Sequence, residues 1–142
     1  MKRLILCSAI ALSVSACATK PPRADQLKAA PTEHLTAFQS PKDGDATLIV
    51  TRDIGMLGGG CYMALFVDGR DVGKLATGET ATFHLPAGEH IVGTWITGSG
   101  LCGFREGADR TESSTIIRRG ETRKFRIAAL SGGGYSITPT TI

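Results

Sequence analysis

Histidines, cysteines, glycine runs and clustered arginines are the features of this chain that could carry chemistry. His34, His84 and His90 raise a metal site first, because neutral imidazole is a common ligand. His34 stands in a proline-rich stretch. His84 and His90 bracket Pro86-Ala87-Gly88-Glu89, read here as a four-residue hairpin loop. In that register Leu85 faces His90 and His84 faces Ile91. Side chains alternate across a strand, so the two imidazoles point to opposite faces and share no ion. Gly98-x-Gly100-x-x-Gly103 spells a dinucleotide fingerprint. That motif needs a helix rising behind it to hold the pyrophosphate, and Glu106-Gly107-Ala108-Asp109 follows instead. Gly55–Gly60 lacks the Lys-Ser/Thr of a phosphate loop. Asp68 and Asp71 read as turn residues. Glu106, Asp109 and Glu112 interleave with Arg105 and Arg110, as in a solvated loop. No pair of carboxylates suits general acid–base work. The expectation is a non-enzyme with no cofactor, no metal and no small-molecule substrate.

The densest charge is Arg118, Arg119, Arg123, Lys124 and Arg126, read as a basic hairpin around Arg119-Gly120-Glu121. Guanidinium forks suit phosphate, so these five residues are the candidate contacts for lipid headgroups, lipopolysaccharide phosphates or an acidic protein. Charged strand edges also simply discourage pairing with other chains. Lys2 and Arg3 contribute to a formal charge of +3, and the remaining chain is close to neutral. Such a balance gives no case for nucleic acid.

These residues must be positioned by a β scaffold. The chain has 142 residues, 18 of them glycine, and shows no long helical period. Ala46–Arg52 is rich in β-branched residues. Cys61–Val67 is a nearly continuous apolar run, ended by Asp68-Gly69, a strong hairpin signal, with Arg70–Ala76 as the return strand. Thr80–Leu85 alternates. His90–Thr97, Ser114–Arg118, Thr122–Leu130 and Tyr135–Thr138 complete the set. Short strands at this spacing predict an all-β fold: a small sandwich or barrel of about seven to eight antiparallel strands over 46–142, behind a disordered linker. Val50, Leu65, Val67, Leu75, Phe83, Leu85, Val92, Trp95, Ile117, Phe125 and Ile127 are the expected core.

The N-terminus reads as a targeting segment. Met1-Lys2-Arg3 is basic, and Leu4–Val14 is apolar but too short for a spanning helix, which takes about 20 residues. It fits a signal h-region. Val14-Ser15-Ala16-Cys17 then resembles the bacterial lipobox. The resemblance implies a signal peptide over 1–16, diacylglycerol on the Cys17 sulfur and acylation of its new amino group. Two or more chains anchor stably. On the Gram-negative sorting pattern, Ala18 favours an outer-membrane lipoprotein facing the periplasm. Residues 17–45 read as lipidated cysteine plus flexible linker, because Pro21, Pro22, Pro31 and Pro41 interrupt any helix. Cys7 leaves with the leader, and Cys17 takes lipid. Cys61 and Cys102 remain, and two cysteines in an oxidising compartment are expected to pair. A catalytic thiol lacks a local histidine signature.

Leu65–Leu75, then Gly78-Glu79, then Phe83–His90 carry a second resemblance. Val67-Asp68-Gly69-x-x-Val72-Gly73-x-Leu75 and Leu85-Pro86-x-Gly88-x-His90 are similar to the core of PEGA-type β domains and related bacterial lipoproteins. The resemblance spans the middle of the chain and implies a small sandwich on an envelope protein, without a catalytic centre. The leading expectation is therefore a lipid-anchored envelope protein that binds or scaffolds an envelope partner. The alternative is a periplasmic inhibitor or immunity protein that inserts Gly55–Gly60 or Gly98–Gly103 into a lysozyme-like enzyme or a delivered toxin. An enzyme of unfamiliar type is the third possibility.

Overall fold

The computed structural model describes residues 19–105, 107 and 110–142. Residues 1–18, which include the expected signal peptide and Cys17, and Glu106, Ala108 and Asp109 lie outside the described residues. Among the described residues there are nine strands: β1 (Lys28–Ala29), β2 (Ala46–Arg52), β3 (Tyr62–Val67), β4 (Arg70–Leu75), β5 (Glu79–Leu85), β6 (Gly88–Thr97), β7 (Thr111–Ile117), β8 (Thr122–Ala129) and β9 (Tyr135–Pro139). They form a five-stranded sheet, β1-β5-β2-β8-β9, and a four-stranded sheet, β4-β3-β6-β7. Both sheets are open, so the all-β expectation holds while closure as a barrel does not. Among the described residues, no helix is long and apolar enough to cross a membrane.

Alternation builds the core. Along β2, Ala46, Leu48, Val50 and Arg52 point inward and the residues between them outward. Phe83 and Leu85 of β5 and Phe125 and Ile127 of β8 meet Met63, Leu65, Val72, Val92 and Ile117 of the other sheet in one apolar cluster. Each such side chain, fully withdrawn from water, contributes about 1.5–3 kcal/mol. Trp95 departs from the expected core. It sits half-buried on the outer face of the four-stranded sheet, its ring 4.8 Å from that of Phe66. Its position on β6 places it between inward-facing Thr94 and Ile96, on the opposite parity.

The connections differ from the sequence reading at two places. Asp68-Gly69 does make a tight hairpin, with Val67 opposite Arg70 and positive φ at both turn residues, as such turns require. Pro86-Ala87 does not. β5 pairs with β2, and β6 pairs with β3 and β7, so the chain crosses between sheets there. Arg118–Glu121 is likewise a crossover and not a hairpin: β7 pairs with β6, whereas β8 runs parallel to β2 and antiparallel to β9. Both crossovers follow from burial. Leu85 and Ile117 are fully buried at their strand ends, and each next strand can bury its own face only from the other sheet.

The segment read as a flexible linker is a strap on the domain. Lys20 forms an antiparallel bridge with Ile54, and Leu35 forms one with Gly73. β1 adds in parallel to the edge of β5. Ala30 and Ala37 are buried in the core cluster. Gly73 makes room for the crossing: a Cβ there would stand 2.6 Å from the His34 carbonyl oxygen. The prolines limit helix to one 3-10 turn, Thr32–His34, and leave the remaining amides free to bond sheet edges, as Ala30 N–H does to Thr80 O at 2.9 Å.

Candidate functional site

Strand directions sort the loops into two unlike ends. β2 and β8 run toward the end that carries loops 53–61, 98–110 and 130–134, and β5 and β9 run away from it. The opposite end carries Asp68-Gly69, Pro86-Ala87, Arg118–Glu121 and the strap around Asp45. Segments 54–60, 98–104 and 130–134 contain no charged residue, whereas every turn of the other end except Pro86-Ala87 contains one.

Arg52 fixes the glycine-rich end. It occupies the inward parity of β2 at the strand's last position, where the pattern before it is Ala46, Leu48 and Val50. Its Nη1 donates to the carbonyls of Cys61 (2.6 Å) and Leu75 (2.9 Å), and its Nη2 donates to Gly58 O at 2.7 Å. A planar fork suits this. Burial holds the guanidinium's pKa below its usual value, and Tyr135 and Glu79 oppose that shift. The disulfide Cys61–Cys102 then ties loop 53–61 to loop 98–110, as the sequence reading anticipates. Sequence reasoning passes over Arg52. The available signal is a cation at a position whose period demands an apolar side chain.

Asp53, the next residue, fastens the strap's start. Its carboxylate is 1% exposed and accepts from Arg126, whose Nε lies 3.1 Å from Oδ1. Thr19 Oγ1 donates to Asp53 Oδ2 at 3.2 Å and accepts from the Ala129 N–H at 2.9 Å. Lys20 and Ile54 exchange both backbone hydrogen bonds. Residue 19 is thus held at the glycine-rich end.

The five basic residues singled out in sequence do not form one patch. Arg119 pairs with Asp45 at 2.6 Å, Arg123 with Glu121 at 2.9 Å, and Arg126 with Asp53. Lys124 and Arg126 share the outward parity of β8. Arg118 and Arg123 do meet, across a shallow groove of about 420 Å³ lined also by Glu89, Ser114, Thr115 and Ile116. That groove lies at the charged end. Arg123 is paired with Glu121 and Glu89 lines the same groove, so its charge is mixed around an exposed Ile116, and it is too open to desolvate a reacting group.

The histidines are apart. His90 is buried, with Nδ1 2.7 Å from Asp68 Oδ2 and Nε2 2.8 Å from Pro86 O. Asp68 also accepts from the Ile91 N–H at 2.8 Å, so this group ties the β3–β4 turn to β6. His84 lies on the outer side of the five-stranded sheet, and His34 meets Tyr62 edge-on. Among the described residues, no three His, Cys, Asp or Glu side chains are grouped to hold a metal. Gly98, Gly100 and Gly103 lie in a loop ending in a single 3-10 turn, Gly103–Arg105. Arg110, read as part of a solvated loop, pairs with Glu112 at 2.6 Å and lies 4.0 Å over the Phe66 ring. No family model, curated protein or solved structure matches the chain.

Proposed function

We propose that this chain is a non-enzymatic, lipid-anchored protein of the bacterial cell envelope, most consistent with the outer membrane facing the periplasm, whose β domain binds or scaffolds an envelope partner. The observation that carries the reading is the position of Thr19. The lipobox-like Val14-Ser15-Ala16-Cys17 ends two residues ahead of it, and Thr19 is hydrogen-bonded to Asp53 and Ala129. An acylated Cys17 therefore holds the glycine-rich end toward the bilayer and turns the charged end away. The groove of Glu89, Ile116, Arg118 and Arg123 then faces the compartment, where a partner can reach it. The two open sheets and the Asp68-Gly69 hairpin support a PEGA-like sandwich, and the cross-link between Cys61 and Cys102 fits an oxidising compartment.

The inhibitor reading has one observation in its favour. Loops 53–61 and 98–110 are cross-linked and carry nearly free apolar tips, as an inserting wedge would. The position of Thr19 weighs against it, because the lipid would press those loops to the membrane. Cys17→Ala, compared with the native chain, tests the anchor: the native protein should fractionate with envelope membranes and the variant should not acquire acyl mass. Capture from envelope extract with native and Arg118→Glu/Arg123→Glu chains tests the groove. A partner kept by the native chain and lost by the variant supports scaffolding. A muralytic enzyme retained by both supports inhibition.

A further inference from the structure

We infer that the glycine-rich end is itself a membrane-contacting surface, in which apolar loop tips enter the headgroup region of the bilayer beside the anchor. Five large apolar side chains stand exposed there on three different loops. Met56 is 95% exposed, Leu101 92% and Phe104 93%, and Leu57 and Leu130 are also exposed. Single exposed apolar residues are ordinary. Five at one end, on the segments 54–60, 98–104 and 130–134, which hold no charged residue although the second loop runs on into the charged stretch from Arg105 to Arg110, are a different matter. Apart from Ile54, Ser99, Cys102 and Ser131 the rest of these segments is glycine, so little polar side chain has to be dehydrated when they leave water.

Two further observations name the occupant. The first is where the preceding chain leaves the domain. Thr19 is fixed against Ala129 and Asp53, at the roots of loops 130–134 and 53–61, so on the anchor reading a lipidated Cys17, two residues ahead in sequence, would join the domain at this end. The second is support. Arg52 holds Gly58 and Cys61 by their carbonyls, and the disulfide carries loop 98–110 with them. Tips held this way present their side chains without losing much freedom on contact, which favours binding. Phe, Leu and Met at an interface bury apolar area at the boundary of headgroups and acyl chains. The orientation rests on the anchor reading, while the apolar end itself does not.

The test is hydrogen exchange on the complete mature chain in two forms. One is the acylated protein reconstituted on phosphatidylethanolamine–phosphatidylglycerol vesicles. The other carries Cys17→Ser, is secreted behind a non-lipoprotein leader, and is measured in buffer and again with the same vesicles. Expected is slowed exchange at 54–60, 98–104 and 130–134 in the acylated form on vesicles, with Asp68-Gly69 and Arg118–Glu121 unchanged. Met56→Glu/Phe104→Glu should remove that slowing without shifting the melting temperature, since both side chains stand in water. It should also lower vesicle binding of the Cys17→Ser chain by about tenfold or more, the factor for one such side chain. Unchanged exchange in the three loops, slowing confined to the charged end, or slowing in buffer through dimers seen by ultracentrifugation would each overturn the inference. A mature mass without acyl chains defeats the anchor reading alone, and vesicle binding by the Cys17→Ser chain still decides the surface.

Discussion

The Phe66 ring occupies the space that a side chain at residue 93 would need. A Cβ on Gly93 would stand 1.9 Å from the ring's Cε2 and 2.4 Å from its Cζ. Phe66 and Gly93 face each other across β3 and β6, and the Arg110 guanidinium lies over both the Phe66 ring (4.0 Å) and the neighbouring Trp95 ring (5.3 Å). Phe66 is 2% exposed, so moving its ring displaces these neighbours.

Gly93→Ala should therefore destabilise the domain by about 1–3 kcal/mol, as overpacking of a filled site does. Chemical denaturation should show a lower midpoint with unchanged slope. Trp95 fluorescence should shift in the folded baseline, because its neighbouring ring has moved.

Arg52→Lys should loosen the glycine-rich end even though the charge is kept. An ammonium cannot reproduce the fork that reaches Cys61, Leu75 and Gly58. The expected cost is about 1–3 kcal/mol for stranded carbonyls. Amide exchange should rise at Gly58–Cys61 more than at the charged end. Acid should not mimic the substitution. Burial lowers the Arg52 pKa, so the unfolded chain holds this proton more tightly, and stability from this group rises with pH only in strongly alkaline solution. Loop exchange, corrected for intrinsic rates, should be flat between pH ~5 and ~8.

Reduction of Cys61–Cys102 should lower stability by about 4 kcal/mol on the chain-entropy account of a loop of this size, the two residues being 41 apart in sequence. Denaturation with and without reductant measures it, and thiol titration confirms that the bond is open. The Cys61→Ala/Cys102→Ala chain should match the reduced protein within experimental error.

Asp53→Asn should cost about 2–3 kcal/mol, because Arg126 loses the partner of a largely buried pair. Thr19→Val should cost about 1 kcal/mol, the usual net worth of a neutral hydrogen bond. The two effects should not add, since Thr19 donates to that same carboxylate. A double-mutant cycle in urea checks this. Proteolysis near Thr19 should quicken in both variants.

Strand positions are legible in the chain because alternation and turn residues are local. Thr80–Leu85 shows it throughout and Ala46–Arg52 at every apolar position but Ile49, since each apolar position is otherwise one residue from a polar one. Sheet membership is not local. Pro86-Ala87 and Arg118–Glu121 look like hairpin turns, yet each joins strands of different sheets. A short connection can either fold a strand back or carry it across, and the choice is made by which neighbour covers Leu85 or Ile117. The strap escapes a pattern reading for another reason. Its hold on the domain is mostly main chain, as at Lys20–Ile54 and Leu35–Gly73, and main-chain bonds leave no mark in side-chain periodicity. Arg52 and Asp53 leave a mark only as charges beside an apolar period.

β2 sits at the centre of the larger sheet, between β5 and β8, and its partner β8 begins only at Thr122. A nascent chain therefore cannot complete this sheet until nearly all of it has emerged. Such distant pairing is intrinsically slow, and a half-made sheet would offer β2 as a bare template to other chains. On the export proposed above, that order of assembly would keep the chain from closing before it has crossed.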